Sequence, residues 1–456
     1  MNLWVLCELC GRYKMSLSFT VDIEKIVYGG RGLGRINGKV VFVPFTAPGD
    51  RVEVKVLREK KDYSEAVLQT VEQESPLRVR PFCDHFGKCG GCHYQHLSYP
   101  QQLRMKEEIL KNFLFPLAKN ANMEIRPMIP SPHEQGYRIR AQFKGGRKAG
   151  REVLGFYGFK THRLVEVPEC PLLHPLLNRA LKGLQKWLSK GRSFTVRGAD
   201  IQGSPEEDRC VIRLLIGGTA CRDIAEEAGR EIPGIKGVVM DGEARISWGD
   251  LTIAYRWPEI FGRRSLQIQA DYDSFTQINP YQNWNLIQRV VEWADLSGRE
   301  RVLDLFCGSG NLTLPLAQRA LRVWGVDQDE RAVENARKNA RKNQLGNCVF
   351  VPAAAEVGIR RILEETDSVD AVVLDPPRAG AGDILDALAL LRPRKIIYVS
   401  CEPPTLARDL RRLGTLGFRL KRIQPLDMFP HTYHIEVIAE LSAPLSGGSA
   451  LGKSIG

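Results

Sequence analysis

Apolar and polar positions along this 456-residue chain follow two different periods. From residue 17 to residue 75, runs such as "GKVVFVP" and "DRVEVKVL" alternate with period two, and glycine-rich stretches such as "YGGRGLGRINGK" separate them. Alternation of this kind is typical of half-buried strands, and glycines permit tight turns between them. We predict about five short strands here, closed into an OB-like barrel.

From residue 270 onwards the pattern changes to strand, helix, strand, helix. Apolar runs predict strands at 302–306, 322–327, 371–374 and 396–400, and helical spacing predicts helices at 312–319, 330–343, 384–391 and 405–413. The alternation is typical of an α/β doubly wound parallel sheet. Such a sheet keeps its ligands at the carboxyl ends of its strands.

The segment between these regions mixes strand-like runs such as "YRIRAQFK" with a helix predicted at 101–115. We therefore expect a multidomain protein: an extension 1–16, a barrel 17–75, a central α+β domain 76–265, an α/β domain 266–442 and a flexible Gly- and Ser-rich tail 443–456. Met15 is a second candidate start of translation, and with that start the extension would not be translated.

Composition indicates where the protein works. No apolar run is long enough for a membrane span, and the first residues lack the basic start and cleavage site of a secretory signal. Eleven unevenly spread cysteines suit a reducing compartment better than a disulfide framework. We expect a cytoplasmic, monomeric protein without membrane contact.

Positive charge is concentrated in one part of the chain. The formal net charge is +12, and residues 76–200 contain 22 Lys and Arg against 9 Asp and Glu. A basic region inside an otherwise balanced protein is typical of a nucleic-acid partner, and a solvated basic face is the alternative.

A glycine turn opens the α/β region. In "RVLDLFCGSGNLTLPLA", Gly308 and Gly310 let the backbone approach a ligand, and Asp327 ends the next predicted strand, where a carboxylate accepts hydrogen bonds from ribose hydroxyls. The dinucleotide fingerprint G-x-G-x-x-G is broken because Thr313 replaces its third glycine. The motif instead resembles that of S-adenosylmethionine-dependent methyltransferases.

Two further loops carry candidate polar groups. "AVVLDPPRAG" ends a strand at Asp375, and Arg378 stands where amino-methylases of nucleic acid carry a stacking aromatic, which argues against methylation of an exocyclic amine. In "SFTQINPYQNW", Gln277 suits a base edge or a cofactor carboxylate, or belongs to a simple helix-capping loop.

A thiol and a carboxyl complete the candidate chemistry. In "IIYVSCEPPTLARDL", Cys401 follows a predicted strand that two prolines end, and a thiolate there can add to carbon 6 of uracil so that carbon 5 becomes nucleophilic. A small buried thiol is the alternative. Glu436, in the apolar run of "HIEVIAEL", is a candidate base with a raised pKa, whereas His431 and His434 alone make an incomplete metal site.

A cysteine cluster begins the central segment. The C-x-x-C spacing in "CDHFGKCGGC" serves both zinc and iron–sulfur sites, and the residues alone favour zinc. Cys7 and Cys10 have no second pair nearby, and we assign them no role.

Six motifs in order resemble the RNA uracil-5-methyltransferase family with an N-terminal TRAM domain: "SFTQIN", "DLFCGSGNLTLP", "GVDQDERAVENA", "DPPRAG", "VSCEPPTLARDL" and "MFPHTYHIE". The resemblance covers residues 17–442. It implies Cys401 as nucleophile and Glu436 as general base. It also implies five residues that contact S-adenosylmethionine or hold its binding site: Gln277, Phe306, Asn311, Asp327 and Asp375.

The resemblance carries further expectations. It implies that Cys83, Cys89, Cys92 and Cys170 hold a 4Fe–4S cluster, and that a helix near 97–125 packs on the catalytic domain. Ala354 stands where relatives often carry a polar side chain, which puts one contact to the cofactor in doubt.

The expected substrate is a uridine in structured RNA. The resemblance favours 23S ribosomal RNA, with the T-loop uridine of transfer RNA as the alternative. A protein that binds RNA without catalysis is an alternative of another class, and intact Cys401 and Glu436 argue against it.

Overall fold

The computed structural model describes residues 18–118, 123–259, 262–366 and 368–443. Cys7, Cys10, Met15 and the tail from residue 444 lie outside the described residues. In the described part of the chain, no helix has both the length and the apolar character needed to cross a lipid bilayer.

The described residues form two compact units, and neither is a single stretch of chain. The first unit contains residues 18–87, 92–105 and 431–433, and the second contains the described residues of 88–91, 106–430 and 434–443.

The first unit is built on six strands: β1 Ser18–Asp22, β2 Lys25–Val27, β3 Arg31–Ile36, β4 Lys39–Pro44, β5 Arg51–Glu59 and β6 Tyr63–Gln73. They form one sheet in the order β1-β5-β6-β4-β3-β2. Alternate residues such as Val41, Val43, Val52 and Val54 are fully buried between its strands. The predicted strands of this segment are therefore present, one more than expected.

A long helix, α1 Tyr99–Ala118, and a short strand, β7 Glu124–Ile125, follow. The last part of α1 belongs to the second unit. There the Lys106 ammonium donates a hydrogen bond of 2.6 Å to the Asp427 carboxylate. Both side chains are completely buried.

The central segment contributes the strands β8 Arg140–Lys148, β9 Arg151–Tyr157, β10 Leu164–Glu166, β11 Thr195–Ser204, β12 Arg209–Gly217, β13 Ile235–Asp241 and β14 Arg245–Gly249. Their order in the sheet is β10-β9-β8-β11-β12-β13-β14. The helices α2 Pro175–Leu188 and α3 Arg222–Glu231 share one apolar core with this sheet. A separate hairpin of β15 Thr252–Trp257 and β16 Leu266–Asp271 leads to the next sheet.

The last sheet contains β17 Arg301–Leu305, β18 Arg322–Asp327, β19 Cys348–Pro352, β20 Ala371–Leu374, β21 Lys395–Ser400, β22 Arg419–Leu426 and β23 Glu436–Ser442, with β7 at one edge. Its helices are α4 Pro280–Ala294, α5 Thr313–Ala317, α6 Glu330–Lys342, α7 Ala355–Glu365, α8 Leu385–Leu390 and α9 Pro403–Thr415, and a 3-10 turn at Gly382–Ile384 precedes α8. The strand order is β19-β18-β17-β20-β21-β23-β22-β7.

This sheet corrects the prediction of a purely parallel sheet. The strands from β19 to β21 are parallel, but β23 runs antiparallel to both β21 and β22. β19, α7 and β22 are not predicted by the apolar pattern, and α5 is shorter than expected. The two prolines after Cys401 open α9 rather than precede it, because proline is tolerated at the first helical position.

Candidate active site

Three strand ends position three of the candidate site residues. Asp327 ends β18, Asp375 directly follows β20, and Cys401 directly follows β21. These strands are parallel, so their carboxyl ends lie along one edge of the sheet, where ligands of such folds bind.

The antiparallel strand β23 brings Glu436 to the same edge. Ser400 pairs with Val437, and continuing this register by one residue brings Cys401 opposite Glu436. Both residues are predicted from the sequence, but no local pattern in it gives a reason for them to meet. The register of a strand that reverses direction supplies that reason.

The carboxyl group of Glu436 is held away from water. The residue is 2% exposed. Burial, and then the nearby Asp375 carboxylate, raise the pKa of Glu436 well above its usual value. Burial also raises the pKa of Asp375 to about 7. Because both carboxyl groups have a raised pKa, the site can take up a proton near neutral pH.

The Cys401 thiol has an environment that disfavours its ionised form. Burial raises its pKa to about 12, and the carboxylates of Glu436 and Asp375 act in the same direction. The guanidinium of Arg378 acts in the opposite direction. The resting site therefore holds a thiol whose proton must leave before the sulfur can act as a nucleophile.

The glycine turn forms an open cradle beside these groups. Gly308 and Gly310 have φ of +52° and +94°. A Cβ atom at Gly308 would meet no described atom within 4 Å, so the space beside the turn is open. The amide of Gly308 donates to the Asp327 carboxylate at 2.9 Å, and the amide of Asp329 donates to its other oxygen at 2.9 Å.

Two other predicted cofactor contacts, Phe306 and Asn311, flank this turn in the chain, and a third, Gln277, lies in a separate loop. Phe306 has a left-handed backbone with φ of +63°, which is uncommon for a residue other than glycine. Asn311 exchanges two amide hydrogen bonds with Asn283 of α4, at 2.9 and 3.0 Å. Gln277 is partly buried in the loop before α4. Ala354 caps α7 without a side-chain hydrogen bond.

Asp304, a buried carboxyl in β17, is not among the site residues predicted from the sequence. It is 1% exposed, and the Thr313 hydroxyl donates to it at 2.5 Å. Burial raises the pKa of Asp304 to about 7, and the Asp375 and Asp327 carboxylates also raise it. The signal was present in the sequence, because "RVLDLF" places an acid inside an apolar strand.

A buried carboxylate also supports the loop that follows Asp375. The Asp409 side chain accepts hydrogen bonds from the Tyr398 hydroxyl at 2.6 Å and from the Ala381 amide at 2.8 Å. Gly380 has φ of +81°, and a Cβ atom there would lie 2.4 Å from the Asp409 carboxylate. The loop therefore requires glycine at this position.

The four cysteines predicted to bind a cluster are divided between the two units. Cys83 and Cys92 belong to the first, and Cys89 and Cys170 belong to the second. The Gln95 amide donates to the Cys92 sulfur at 3.2 Å, and the Gly91 amide donates to the Cys89 sulfur at 3.4 Å. Among the described residues, no three His, Cys, Asp or Glu side chains are grouped as a metal site.

Sequence families identify two regions of the chain. Residues 259–443 match the tRNA (uracil-5-)-methyltransferase family, and residues 18–68 match the TRAM domain.

Whole-length relatives agree with these matches. An uncharacterized RNA methyltransferase of Aquifex aeolicus is 35% identical, over 92% of this chain and 97% of its own. Another, of Thermosynechococcus vestitus, is 34% identical, over 94% of this chain and 99% of its own.

One solved structure resembles the whole described fold. It is the Pyrococcus abyssi tRNA (uracil-54, C5)-methyltransferase in complex with S-adenosyl-L-homocysteine, which is 26% identical with a TM-score of 0.72. The similarity covers 92% of this chain and 100% of that one.

Proposed function

We propose that this chain, which belongs to the TRAM-containing RNA (uracil-5-)-methyltransferase family, methylates carbon 5 of a uridine in structured RNA by covalent catalysis. The observation that carries the proposal is the register of β21 and β23, which continues to a pairing of Cys401 with Glu436 at the ligand-binding edge of the sheet. A nucleophile and a base in neighbouring positions suit a reaction that needs both on one ring.

S-adenosylmethionine supplies an electrophilic methyl group when it is bound. The open space beside Gly308 and the anchored Asp327 carboxylate fit this cofactor, because a carboxylate at the end of the second strand suits ribose hydroxyls. We assign Gln277, Phe306, Asn311 and Asp375 to the same binding site.

The protein residues act in sequence on the uracil ring. The Cys401 thiol gives its proton to solvent water, and its sulfur bonds to carbon 6, so that the electron pair of the ring double bond makes carbon 5 nucleophilic. Carbon 5 takes the methyl group, whose bond to the sulfonium sulfur breaks and leaves a neutral thioether. The Glu436 carboxylate then accepts the proton that remains on carbon 5, the double bond re-forms, and the carbon–sulfur bond to Cys401 breaks.

The decisive experiment offers RNA that carries tritium at carbon 5 of uridine. Wild-type protein with S-adenosylmethionine should release tritium to water, and Cys401→Ala should release none. Absence of release from both ribosomal and transfer RNA would overturn the proposal.

A second variant tests the division of roles. Glu436→Gln should form the bond from Cys401 to carbon 6 but fail to remove the proton from carbon 5, so a denaturation-resistant protein–RNA complex should accumulate on gels. Normal turnover by Glu436→Gln would show that another group is the base.

The RNA itself is a finer proposal. The sequence resemblance supports 23S ribosomal RNA as the substrate, whereas the Pyrococcus abyssi neighbour acts on transfer RNA. We take 23S ribosomal RNA as the first candidate, and separate tritium assays with the two RNAs decide between them.

The cluster proposal rests on the resemblance, with support from the amide donors to the sulfur atoms of Cys89 and Cys92. The arrangement of the described side chains does not by itself make a ligand set, and no step of the reaction is assigned to a cluster. Iron and sulfide content after anaerobic purification tests it, with the exposed Cys221→Ser as control for Cys89→Ser.

A further inference from the structure

One face of the central sheet is left open at the end formed by β8, β9, β11 and β12. Lys144 pairs with Gly155 on one side and with Gly198 on the other, and Gly198 pairs with Leu215. Side chains at paired positions share a face, and Tyr157 lies two residues beyond Gly155 on that same face. Tyr157 and Leu215 are 40% and 41% exposed.

The opposite face is closed. Phe143, Ala199 and Leu214, which alternate with the residues of the open face, are buried in the core that α2 and α3 share. Tyr157 and Leu215 therefore do not belong to this core. A strand that packs on one side places its alternate residues in solvent.

Two cations lie on the open face, and one of them is beside the aromatic ring. The Lys144 ammonium is 5.7 Å from the centroid of the Tyr157 ring. The guanidinium of Arg197 covers Gly217, with its Nε atom 3.2 Å from the position that a Cβ atom would take there. The acid further along the same strand, Asp200, is neutralised by Arg140 at 2.6 Å.

The position of Tyr157 is fixed from two sides. Its ring meets His162 edge to face at a centroid distance of 5.3 Å. Its carbonyl accepts a hydrogen bond of 3.0 Å from the Gly90 amide, and Cys89 forms a backbone bridge with Gly158. The backbone of Cys89 and Gly90 is thus bonded to the chain at the end of β9, and the ring is held in place before any ligand arrives.

We propose that Lys144, Tyr157, Arg197 and Leu215, named here the Tyr157 platform, bind an unpaired nucleotide of the substrate RNA outside the methylation site. A base stacks on the Tyr157 ring with its phosphate on Lys144, and the RNA backbone then crosses the sheet to Arg197 and the apolar side chain of Leu215, since β8 and β11 lie between the strands of Tyr157 and Leu215. Stacking on an exposed aromatic of an open sheet, flanked by cations, is a general way to hold single-stranded RNA. This inference rests on the proposed function for the identity of the RNA.

The test measures equilibrium binding of a fluorescent RNA stem-loop with an unpaired uridine-containing loop, and of a duplex RNA of the same length. Tyr157→Ala should weaken binding of the stem-loop about tenfold, whereas Tyr157→Phe should keep wild-type affinity because the ring still stacks. Neither variant should change binding of the duplex.

Charge is tested separately by salt dependence. Lys144→Gln and Arg197→Gln should each reduce the slope of log affinity against log salt by about 1. The matched control is Lys182→Gln, which removes an exposed lysine from α2 on the covered face of the same sheet and should leave the slope unchanged.

The outcomes separate this inference from the proposed function. If Tyr157→Ala and Lys144→Gln bind the stem-loop RNA in the same way as Lys182→Gln, the platform proposal is wrong. This holds whatever the rate of tritium release. With saturating RNA, the platform variants should release tritium at the wild-type rate, because none of these residues belongs to the catalytic group. Failure of the wild-type protein to release tritium would overturn the proposed function. The binding measurement would still test the platform, because it does not depend on catalysis.

Discussion

At the scale of single residues, the site places the Glu436 carboxyl near the Cys401 thiol, so that the charge of one affects the ionisation of the other. Ionised Glu436 disfavours the Cys401 thiolate, and burial disfavours both charged forms. The enzyme therefore keeps its nucleophile protonated in the absence of substrate. A thiol in this state is protected from alkylation and oxidation, since the thiolate is the reactive form.

This coupling predicts the reactivity of Cys401 without RNA. Glu436→Gln removes the largest carboxylate contribution to the raised pKa, so the thiolate fraction should increase about tenfold for each unit by which the pKa falls. The rate of alkylation of Cys401 by iodoacetamide at alkaline pH, followed by peptide mass spectrometry, measures this. Glu402→Gln, which removes a more weakly acting carboxylate, is the control. Equal rates in the two variants would contradict the coupling.

At the scale of elements, the strands that could be predicted from the sequence are those that a local apolar pattern specifies. The strands at 322–327 and 371–374 have the predicted bounds, because each is a short apolar run that ends at a carboxylate. β22 escaped prediction because "RLKRIQPL" begins with alternating cations, and its place beside β23 depends on a distant part of the chain.

The candidate site followed the same rule. Cys401 and Asp375 could be predicted because each polar group follows an apolar strand, and Glu436 because it is a carboxyl within an apolar run. Their mutual arrangement could not be predicted, because it depends on the reversed direction of β23. Asp409 was not predicted because its role arises from tertiary hydrogen bonds to the loop after Asp375.

The loop supported by Asp409 gives the second prediction. Gly380→Ala should cost about 1–3 kcal/mol of unfolding free energy, because φ is positive and the new methyl group would displace the Asp409 carboxylate. It should also lower the rate of tritium release, since Asp375 precedes this loop.

Gly414→Ala is the matched control for that change. Gly414 lies inside α9, and no described atom is within 4 Å of its Cβ position. It should be neutral or stabilising by up to about 1 kcal/mol, because alanine favours a helix interior. Thermal unfolding and tritium release check both variants, and equal stability of the two would contradict the argument.

At the scale of the whole molecule, the second unit is closed by a contact between residues 321 positions apart. Lys106 donates to Asp427 at 2.6 Å and to the Phe429 carbonyl at 3.2 Å. Burial lowers the pKa of Lys106, and the Asp427 charge counteracts this effect. Asp427 directly follows β22, whose last residue pairs with Glu436, so the pair fastens α1 beside the strand of the proposed base.

The third prediction concerns this buried pair. Lys106→Met should destabilise the protein by about 3–5 kcal/mol, because it leaves a buried carboxylate without its counter-ion. The double variant Lys106→Met, Asp427→Leu should recover most of the loss, because it removes both charges together. Chemical denaturation of the full chain measures the three proteins.

An exposed ion pair provides the comparison. Lys190 and Glu231 are 2.6 Å apart, with side chains 51% and 39% exposed. Lys190→Met should cost less than about 1 kcal/mol, because water screens such pairs. A double variant as unstable as Lys106→Met alone would show that packing rather than charge dominates at the buried site.

The register that brings Cys401 opposite Glu436 has a consequence for the evolution of this sheet. Deleting one residue between 437 and 442 would let β23 pair again with β21 but would turn the Glu436 side chain to the other face, because strand side chains alternate. A lineage could thus lose methylation while every motif residue remained in its sequence. An intact set of motifs in a descendant therefore does not guarantee an active enzyme, and the length of the strand that follows the last motif must be compared as well.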